Sequence, residues 1–290
     1  MKIGLSLQPS YVLNRDGDAT QPNFLQWAGE PLAFLLELRQ HGVYSVELQG
    51  VGPGLSDATE LAAMRRITTA GLRLTCHSHL PDRDGDKTTP AEFAAPPPLP
   101  DMRAFLNALD MSPVMVVHPC ATAGASYEEL VGATVKGLQA LIKNLKHHAL
   151  PVRVALEINR YRGASMPGVT YNGLLEIGKH FSIDDLGFCW DMGHTQSSFM
   201  KQTLPAMPPS EFVSRVIHTH IHDISSEGDT HRALRESCPY LETSIRCLET
   251  FGYTGVYNFE LYPNRWEPEL NVKDTIFRSI ERLQAILRCA

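Results

Sequence analysis

Val216-Ile-His-Thr-His-Ile-His-Asp223 places a histidine at every second position, at residues 218, 220 and 222. Side chains alternate between the two faces of a β-strand, so these three histidines would lie on one side of a strand. Such a cluster is costly in a hydrophobic core, but it suits a metal site, because imidazole is a common metal ligand. The segment therefore predicts a strand that carries metal-binding side chains.

The length and composition of the chain are those of one globular domain. The chain has 290 residues, of which 43% are hydrophobic and 20% are charged, and its formal net charge is −6. This length suits a single α/β barrel, which usually needs roughly 250 residues. The acidic balance provides no basic footprint and disfavours a nucleic-acid partner. We expect one domain over residues 1–290.

The six cysteines form no C-x-x-C pair and show no disulfide-framework spacing, which favours reduced thiols. The first residues, Met-Lys-Ile-Gly-Leu-Ser-Leu, contain no apolar segment of signal-peptide length. No apolar run approaches the roughly 20 residues of a membrane span. These features predict a cytoplasmic protein without a membrane partner.

Short β-rich runs alternate with longer segments of helical periodicity. The predicted strands cover residues 2–7, 43–48, 71–76, 114–117, 152–157, 186–191, 215–220 and 256–261. Predicted helices cover residues 30–41, 57–70 and 271–288, and Gly42 and Gly71 occupy expected helix C-cap positions. Ser126 and Glu129 form a capping box that opens a further helix.

Polar residues fall at or just beyond the carboxyl ends of six different strands. They are His79, His118, Glu157, Asp191, His220 and Glu260. Alternating strands and helices are typical both of a closed barrel and of an open, doubly wound sheet. A barrel would bring these ends to one mouth, where such enzymes keep their active sites, whereas an open sheet would spread them along a line. The pattern favours an α/β fold of the (β/α)₈ barrel type.

Three of these strands end in a carboxylate, namely Glu157, Asp191 and Glu260. Charged groups at the ends of apolar, buried strands are costly unless they are paired or bound to a metal. Internal salt bridges would be one solution. The repetition at three strand ends favours a bound cation.

Several of these motifs resemble the xylose isomerase-like barrel superfamily. They are Asp191-Met-Gly-His194, His220-Ile-His-Asp223, Asp229-Thr-His231 and the strand-terminal Glu157 and Glu260. The superfamily contains sugar and sugar-phosphate isomerases and epimerases, inosose-processing enzymes and endonuclease IV. The resemblance extends from His79 to Glu260 and implies a single TIM-barrel domain.

For the isomerase and epimerase branch, the resemblance implies one divalent ion, usually manganese, zinc, cobalt or magnesium. Glu157, Asp191, His220 and Glu260 would hold it. The two glutamates would serve as acid and base next to a carbonyl group of a small sugar, sugar phosphate or related polyol. His194 would contact a substrate hydroxyl. This branch is our leading hypothesis.

For the endonuclease IV branch, the resemblance implies up to three zinc ions for phosphoester hydrolysis. His79, His118 and Glu157 would hold the first ion. Glu157, Asp191, His220 and Glu260 would hold the second, and His194, Asp229 and His231 would hold the third. The acidic balance counts against this branch. The sequence Arg-Ala-Leu-Arg-Glu-Ser after His231 lacks the Gly-Glu-Gly pattern that is usual in both branches, so the resemblance does not define this loop.

Two further points concern the reaction. Ser226 stands where several epimerases carry an arginine, so their substrate contacts do not carry over to this chain. A barrel that binds a sugar without catalysis is a third hypothesis. The costly strand-end carboxylates argue against it, because a scaffold has no use for them.

The remaining polar residues near the strand ends have less specific roles. We favour His79 over His77 as a ligand or substrate contact. We expect His218 to be a hydrogen-bonded core residue, His222 to orient a neighbour, and Asp223 to hold a ligand histidine. Four loop residues are candidates for binding an anionic group or stacking on a sugar: Arg160, Arg162, Arg265 and Trp266.

Two long irregular segments, residues 8–29 and 81–100, predict covers over the mouth of the barrel, because structureless loops of this length in a compact domain are usually lids or binding loops. The resemblance also makes a homo-oligomer possible, since barrels of this superfamily often associate.

Overall fold

Parallel strands follow one another around a closed barrel, and the eighth pairs with the first. The structure, a computed structural model, describes residues 2–15, 24–80, 96–122, 124–161, 166–266 and 270–289. The strands are β1 (Lys2–Leu7), β2 (Val43–Gln49), β3 (Arg73–His79), β4 (Val114–His118), β5 (Arg153–Glu157), β6 (Leu186–Asp191), β7 (Val216–Ile221) and β8 (Val256–Phe259). The predicted single-domain (β/α)₈ barrel is confirmed.

Helices connect the strands and cover the outside of the barrel. They are α1 (Pro9–Val12), α2 (Phe24–Ala28), α3 (Pro31–Gln40), α4 (Ala58–Thr69), α5 (Pro100–Asn107), α6 (Tyr127–His147), α7 (Tyr171–Gly178), α8 (Met192–Met200), α9 (Ser210–Val213), α10 (Pro239–Thr250) and α11 (Val272–Cys289). Short 3₁₀ segments lie at Pro167–Val169 and Pro263–Arg265. Parallel neighbours require crossover connections of this kind.

Local sequence signals determine several helix ends. Ser126 and Glu129 form the predicted capping box, with each side chain accepting the other residue's backbone N–H. Gly42 and Gly71 follow α3 and α4 with φ angles of +81° and +78°, which glycine adopts without the steric cost of a Cβ atom. These predictions are confirmed. They could be made from sequence because helix caps depend only on neighbouring residues.

Strand β3 extends further than the sequence predicted. The expected range was 71–76, whereas the strand continues to His79 by pairing with β4, with Cys76 opposite Met115 and His79 opposite His118. The extension is stabilised by hydrogen bonds to a strand distant in sequence, which local patterns do not reveal. As a consequence, His77 lies within the strand, and its side chain points into the barrel.

The barrel interior below the mouth is polar. Ser6 of β1, Glu47 of β2, His218 of β7 and Asn258 of β8 are all buried and hydrogen-bonded to one another through the Glu47 carboxylate. Barrels of this type are commonly filled by branched aliphatic side chains. The polar layer is therefore an unusual feature, and it lies directly beneath the strand ends.

Three other expectations concern membrane spans, the cysteines and the covering loops. No helix among the described residues is long and apolar enough to cross a membrane. The six cysteines are free. Residues 16–23 and 81–95, which form much of the two expected covers, lie outside the described residues, as does Arg162.

Candidate metal centre

Four predicted ligands converge at the mouth of the barrel. Glu157, Asp191, His220 and Glu260 each offer one ligand atom, and these four atoms lie within 4.8 Å of one another. The His220 Nδ1 atom is 3.5 Å from both Glu157 Oε1 and Glu260 Oε2, and 3.9 Å from Asp191 Oδ2. All four residues are buried. The strand ends therefore meet at one point, as the barrel hypothesis required.

Three of the converging atoms have no hydrogen-bond partner among the described residues. They are Glu157 Oε1, His220 Nδ1 and Glu260 Oε2. Buried polar atoms are almost always hydrogen-bonded, and an unpaired one costs about 1–3 kcal/mol, more if it is charged. Here the unpaired atoms face one another. A mixed oxygen and nitrogen ligand set of this kind fits a divalent cation such as zinc, manganese, cobalt or magnesium.

The charges of the cluster also fit a cation. Burial by itself would raise the pKa of Glu157 and Glu260, but positive charge on nearby histidines, His220 among them, lowers both pKa values well below their usual range. Burial would lower the pKa of His220, whereas Cys189 and the surrounding glutamates raise it well above its usual value. Both pKa directions favour ionised carboxylates, which suit a cation as a ligand partner.

Asp191 is held in place by the helix that follows it. It is the N-cap of α8, and its Oδ1 accepts the backbone N–H of His194 at 2.6 Å. His194 Nδ1 is 3.0 Å from Asp191 Oδ2 and 3.4 Å from Glu157 Oε1. The Asp-Met-Gly-His sequence thus combines a helix cap with a site residue, and it fixes His194 beside two proposed ligands.

Glu47 is a part of the site that the sequence reasoning missed. Its carboxylate is fully buried, with His218 Nε2 at 2.9 Å and His220 Nε2 at 3.1 Å. The available signal was a glutamate between a valine and a leucine in the strand Val-Tyr-Ser-Val-Glu-Leu-Gln. His218 is the hydrogen-bonded core histidine that we expected.

On β3, His77 lies deeper in the cluster than the favoured His79. His77 Nε2 is 3.0 Å from His118 Nε2 and 3.3 Å from Glu157 Oε2, and His118 Nε2 is 2.9 Å from the same oxygen. His79 is exposed and lines the cavity above. The preference for His79 rested on the resemblance of His79-Leu-Pro to the superfamily, whereas the structure places His77 closer to Glu157 and His118.

The proposed third ligand set is rearranged. Its members were His194, Asp229 and His231, but Asp229 is exposed, and the histidine that joins the other two is His222. His222 Nε2 is 3.1 Å from Asp191 Oδ1, so it orients a neighbour as expected. Asp223 pairs with Arg235 over 2.7 Å rather than with a ligand histidine, because Arg235 reaches it from the following loop.

His231 is held in a strained conformation by several contacts. Its φ angle of +67° is rarely adopted by residues other than glycine. Trp266 Nε1 and the Tyr262 backbone N–H both donate to the His231 carbonyl, and the Tyr262 ring stacks on its imidazole with the centroids 4.1 Å apart. Such strain persists only where the surroundings over-determine the conformation, and it is common at functional sites.

These contacts change the expected role of Trp266. The sequence reasoning placed it on a sugar face, whereas the residue is 7% exposed, supports the His231 backbone and does not line the cavity above the cluster. Arg265 does line that cavity, and one of its guanidinium N–H groups donates to His231 Nδ1 at 3.0 Å. Burial lowers the pKa of His231 to about 4, so its imidazole accepts this bond in the neutral form.

A polar cavity of about 230 Å³ opens above the cluster. Its described lining residues include Gln8, Gln49, His79, His118, Asn159, Arg160, His194, His231, Glu260, Tyr262 and Arg265. Arg160 and His79 therefore lie where the sequence reasoning expected substrate contacts. Amide, imidazole and guanidinium groups offer many hydrogen bonds and little apolar surface, which suits a small hydrophilic ligand.

The fold and the site define a (β/α)₈ barrel with a buried carboxylate and histidine cluster at its carboxyl-terminal mouth. The sequence signature described as "Xylose isomerase-like TIM barrel" matches residues 35–284. The chain belongs to this family.

A curated relative matches part of the chain. An uncharacterized protein of Methanocaldococcus jannaschii is 28% identical over 160 residues, which cover 51% of this chain and 50% of that protein. The match therefore spans about half the length of this relative.

Solved structures match the whole barrel. A D-tagatose 3-epimerase-like protein is 21% identical, with a TM-score of 0.64, and the match covers 100% of this chain and 98% of that one. D-psicose 3-epimerase from Clostridium cellulolyticum H10, solved with D-tagatose, is 13% identical, with a TM-score of 0.63 and 99% coverage of both chains. At these identities the similarity establishes the fold.

Proposed function

We propose that this protein is a divalent-metal-dependent isomerase or epimerase that acts on a small sugar, sugar phosphate or related polyol. The observation that carries the proposal is the convergence of Glu157, Asp191, His220 and Glu260 within 4.8 Å, with three of the facing atoms lacking hydrogen-bond partners among the described residues. The sugar epimerases among the structural neighbours support the choice of substrate class.

The metal ion, when bound, would polarise the oxygens of the substrate and stabilise negative charge next to a carbonyl group. Glu157 and Glu260 would hold it together with Asp191 and His220. Each glutamate presents its unpaired oxygen to the cluster and its second oxygen to other groups. One oxygen of each carboxylate is thus available to bind the ion, while the contacts of the second oxygen would orient the group for proton transfer.

The second oxygens of the two glutamates lie in different surroundings. Glu260 Oε1 accepts hydrogen bonds from Gln49 Nε2 at 2.9 Å and from the Tyr262 hydroxyl at 3.0 Å. Glu157 Oε2 is 2.9 Å from His118 Nε2. Glu260, just after β8, lines the cavity, and Glu157, at the end of β5, is buried beside it in the cluster. The pair would remove a proton from one face of a carbon and return one to the other, which inverts that carbon.

The groups around the cavity support a polyol as the substrate. His194 and His231 lie beside the carboxylates, while Gln8, Asn159 and Arg160 line the cavity further out. Such groups bind hydroxyls by donating and accepting hydrogen bonds. Arg160 and Arg265 would also accommodate a phosphate group, because guanidinium binds it through paired N–H donors.

Proton exchange with the solvent tests this proposal directly. The metal-loaded protein would be incubated in D₂O with a panel of ketoses, aldoses and their phosphates, and deuterium incorporation next to the carbonyl would be followed by NMR. We expect incorporation for at least one substrate, and its loss in both Glu157→Gln and Glu260→Gln, because an amide neither accepts the proton nor carries the charge.

Glu60→Gln is a matched control for these variants. Glu60 is also a buried glutamate, but it lies on α4 and contacts the backbone of Gly52 rather than the cluster. This variant should exchange deuterium like the wild type. Full exchange activity in Glu157→Gln or Glu260→Gln would refute the proposed acid and base roles, and no exchange with any member of the panel would refute the isomerase proposal.

A multi-zinc phosphoester hydrolase is the second candidate function. It is favoured by one observation, the convergence of His77 Nε2 and His118 Nε2 on Glu157 Oε2 within 3.3 Å, which offers ligands for a second ion. The exposed position of Asp229 counts against a third ion.

Metal stoichiometry separates the two functions. Elemental analysis of protein purified without chelator should give one ion per chain, unchanged in His118→Ala, if the isomerase proposal holds. Two or more zinc ions, with one lost in His118→Ala, and hydrolysis of bis(p-nitrophenyl) phosphate would favour the hydrolase.

A further inference from the structure

The Glu47 carboxylate lies in the barrel interior beneath the four converging ligands, and it receives donors from three strands. Ser6 Oγ of β1 donates to Oε1 at 2.8 Å, and Asn258 Nδ2 of β8 donates to the same oxygen at 3.2 Å. From β7, His218 Nε2 is 2.9 Å from Oε2, and His220 Nε2 is 3.1 and 3.2 Å from the two oxygens. Nothing in the proposed reaction requires this buried charge.

The contact with His220 determines which ring nitrogen faces the cluster. A carboxylate that is already surrounded by donors can only accept, so His220 Nε2 must carry a hydrogen towards Glu47. The other nitrogen, Nδ1, is then directed at Glu157 Oε1 and Glu260 Oε2, each 3.5 Å away. With Nε2–H committed to Glu47, Nδ1 is the nitrogen that faces the two carboxylates, and its lone pair would bind a cation placed between them.

We infer that Glu47 is a positioning residue that fixes His220 with Nε2–H towards the barrel interior and Nδ1 towards the metal ion. The inference rests on the metal site of the proposed function and adds to it the residue that orients one ligand. A carboxylate or carbonyl acceptor behind a ligand histidine fixes the tautomer and ring orientation and makes the imidazole a better ligand.

Glu47 does not qualify as a ligand of the same ion. His220 lies between Glu47 and the cluster, with its Nε2 edge towards Glu47 and its Nδ1 edge towards Glu157 and Glu260. Both Glu47 oxygens are also used by hydrogen bonds. His218 Nε2 also contacts this carboxylate, at 2.9 Å, and helps to hold its orientation.

A purely structural role is also a poor explanation for this residue. Branched aliphatic side chains fill this layer in ordinary barrels, and a buried carboxylate needs several polar partners to offset its desolvation. Here the carboxylate contacts a residue whose free nitrogen faces the proposed metal, which gives the buried charge a purpose.

Metal affinity and ligand spectroscopy test the inference with the full-length chain. Glu47→Gln keeps the shape of the side chain but replaces one acceptor oxygen with an NH₂ group, which opposes a histidine N–H. We expect the affinity for Zn²⁺, measured by competition with a chromophoric chelator, to fall by about 10–100-fold, as is typical when such outer partners are removed. Glu60→Gln should bind like the wild type.

A second measurement uses the wild type alone, so it does not depend on the stability of a variant. In ¹⁵N-histidine-labelled protein loaded with ¹¹³Cd²⁺, His220 Nδ1 should show coupling to cadmium while Nε2 retains its hydrogen. Coupling through Nε2 instead, or an unchanged Zn²⁺ affinity in folded Glu47→Gln, would overturn the role of Glu47. Failure of the wild type to bind any divalent ion would instead overturn the metal site of the proposed function.

Discussion

The His222 ring accepts a hydrogen bond at Nδ1 from the backbone N–H of His231, over 2.9 Å. A backbone N–H can only donate, so the neutral imidazole carries its hydrogen on Nε2, which lies 3.1 Å from Asp191 Oδ1. Both nitrogens of His222 are therefore in use. The residue connects the strained His231 loop to a proposed metal ligand, and it orients that ligand rather than binding the ion.

This connection predicts how His222 variants bind metal. His222→Ala should lose about 10–100-fold in metal affinity, because Asp191 loses one of the donors that fix its carboxylate. His222→Gln should recover part of the loss, since its amide offers both an acceptor and a donor. Calorimetric titration of Zn²⁺ or Mn²⁺ measures both changes. The exposed His180 provides the control, and His180→Ala should bind normally; wild-type affinity in His222→Ala would contradict this role.

Gly193 is required by the packing of the same ring. A Cβ atom at this position would overlap Cε1, Nδ1 and Nε2 of His222, and the ring cannot move away without breaking its two contacts. We expect Gly193→Ala to lower the free energy of unfolding by about 1–3 kcal/mol, as overpacking usually does. Urea denaturation monitored by circular dichroism measures the effect.

Gly132→Ala is the matched control for that substitution. Gly132 lies within α6, and a Cβ atom there would meet no heavy atom within 4 Å. The change should stabilise the protein by roughly 0.5–1 kcal/mol, because alanine is the better helix former. Equal effects of the two substitutions would show that the His222 ring does not restrict residue 193.

Metal removal should destabilise the protein. Without a cation, the ionised Glu157, Asp191 and Glu260 face one another in a buried cluster, and a ligand that binds only the folded state stabilises it by mass action. At a free metal concentration about 100 times the Kd, the stabilisation would be about 2.7 kcal/mol. Thermal unfolding with EDTA and with added Mn²⁺ or Zn²⁺ measures it. Asp191→Asn should reduce the difference, and identical Tm values with and without metal would exclude tight binding at this cluster.

The buried Glu60 should make the stability of the protein depend on pH, and this effect should not involve the metal centre. Burial raises its pKa to about 7, its Oε1 accepts the Gly52 N–H at 2.6 Å, and its Oε2 has no hydrogen-bond partner among the described residues. Between pH 4.5 and 7 the folded state therefore binds more protons than the unfolded state, so this residue's contribution to stability falls as pH rises through that window.

Glu60→Gln isolates this contribution. Glutamine keeps the acceptor for Gly52 and carries no charge, so it should unfold at the same temperature as the wild type near pH 4 and at a higher temperature at pH 8. The measured quantity is the difference in Tm between the two proteins across this range. A constant difference would mean that Glu60 does not titrate with a raised pKa.

Much of the fold followed from the sequence because its signals are local. Ser126 and Glu129 form a cap within four consecutive residues, and Gly42 and Gly71 end helices through their own backbone conformations. The convergence of the proposed ligands could be predicted for a different reason. Glu157, Asp191 and Glu260 end apolar strands, and parallel strands in a barrel must bring those ends together.

The remaining site residues depended on distances between strands that no local pattern contains. His77 replaced His79 at ligand depth because β3 gained length by pairing with β4, and His222 joined His194 and His231 while Asp229 stayed exposed. Trp266 supports the His231 carbonyl from a loop 35 residues further along the chain.

The sequence by itself determined the alternation of strands and helices, which favours a closed barrel. It also determined that three carboxylates and His220 stand at strand ends. The tertiary structure decided which of the nearby polar residues face that cluster and which support it, with Glu47 as the clearest case. The reason is physical: side-chain periodicity and caps arise between neighbours in the chain, whereas the hydrogen bond between Glu47 and His220 joins residues 173 positions apart and exists only once the barrel has closed.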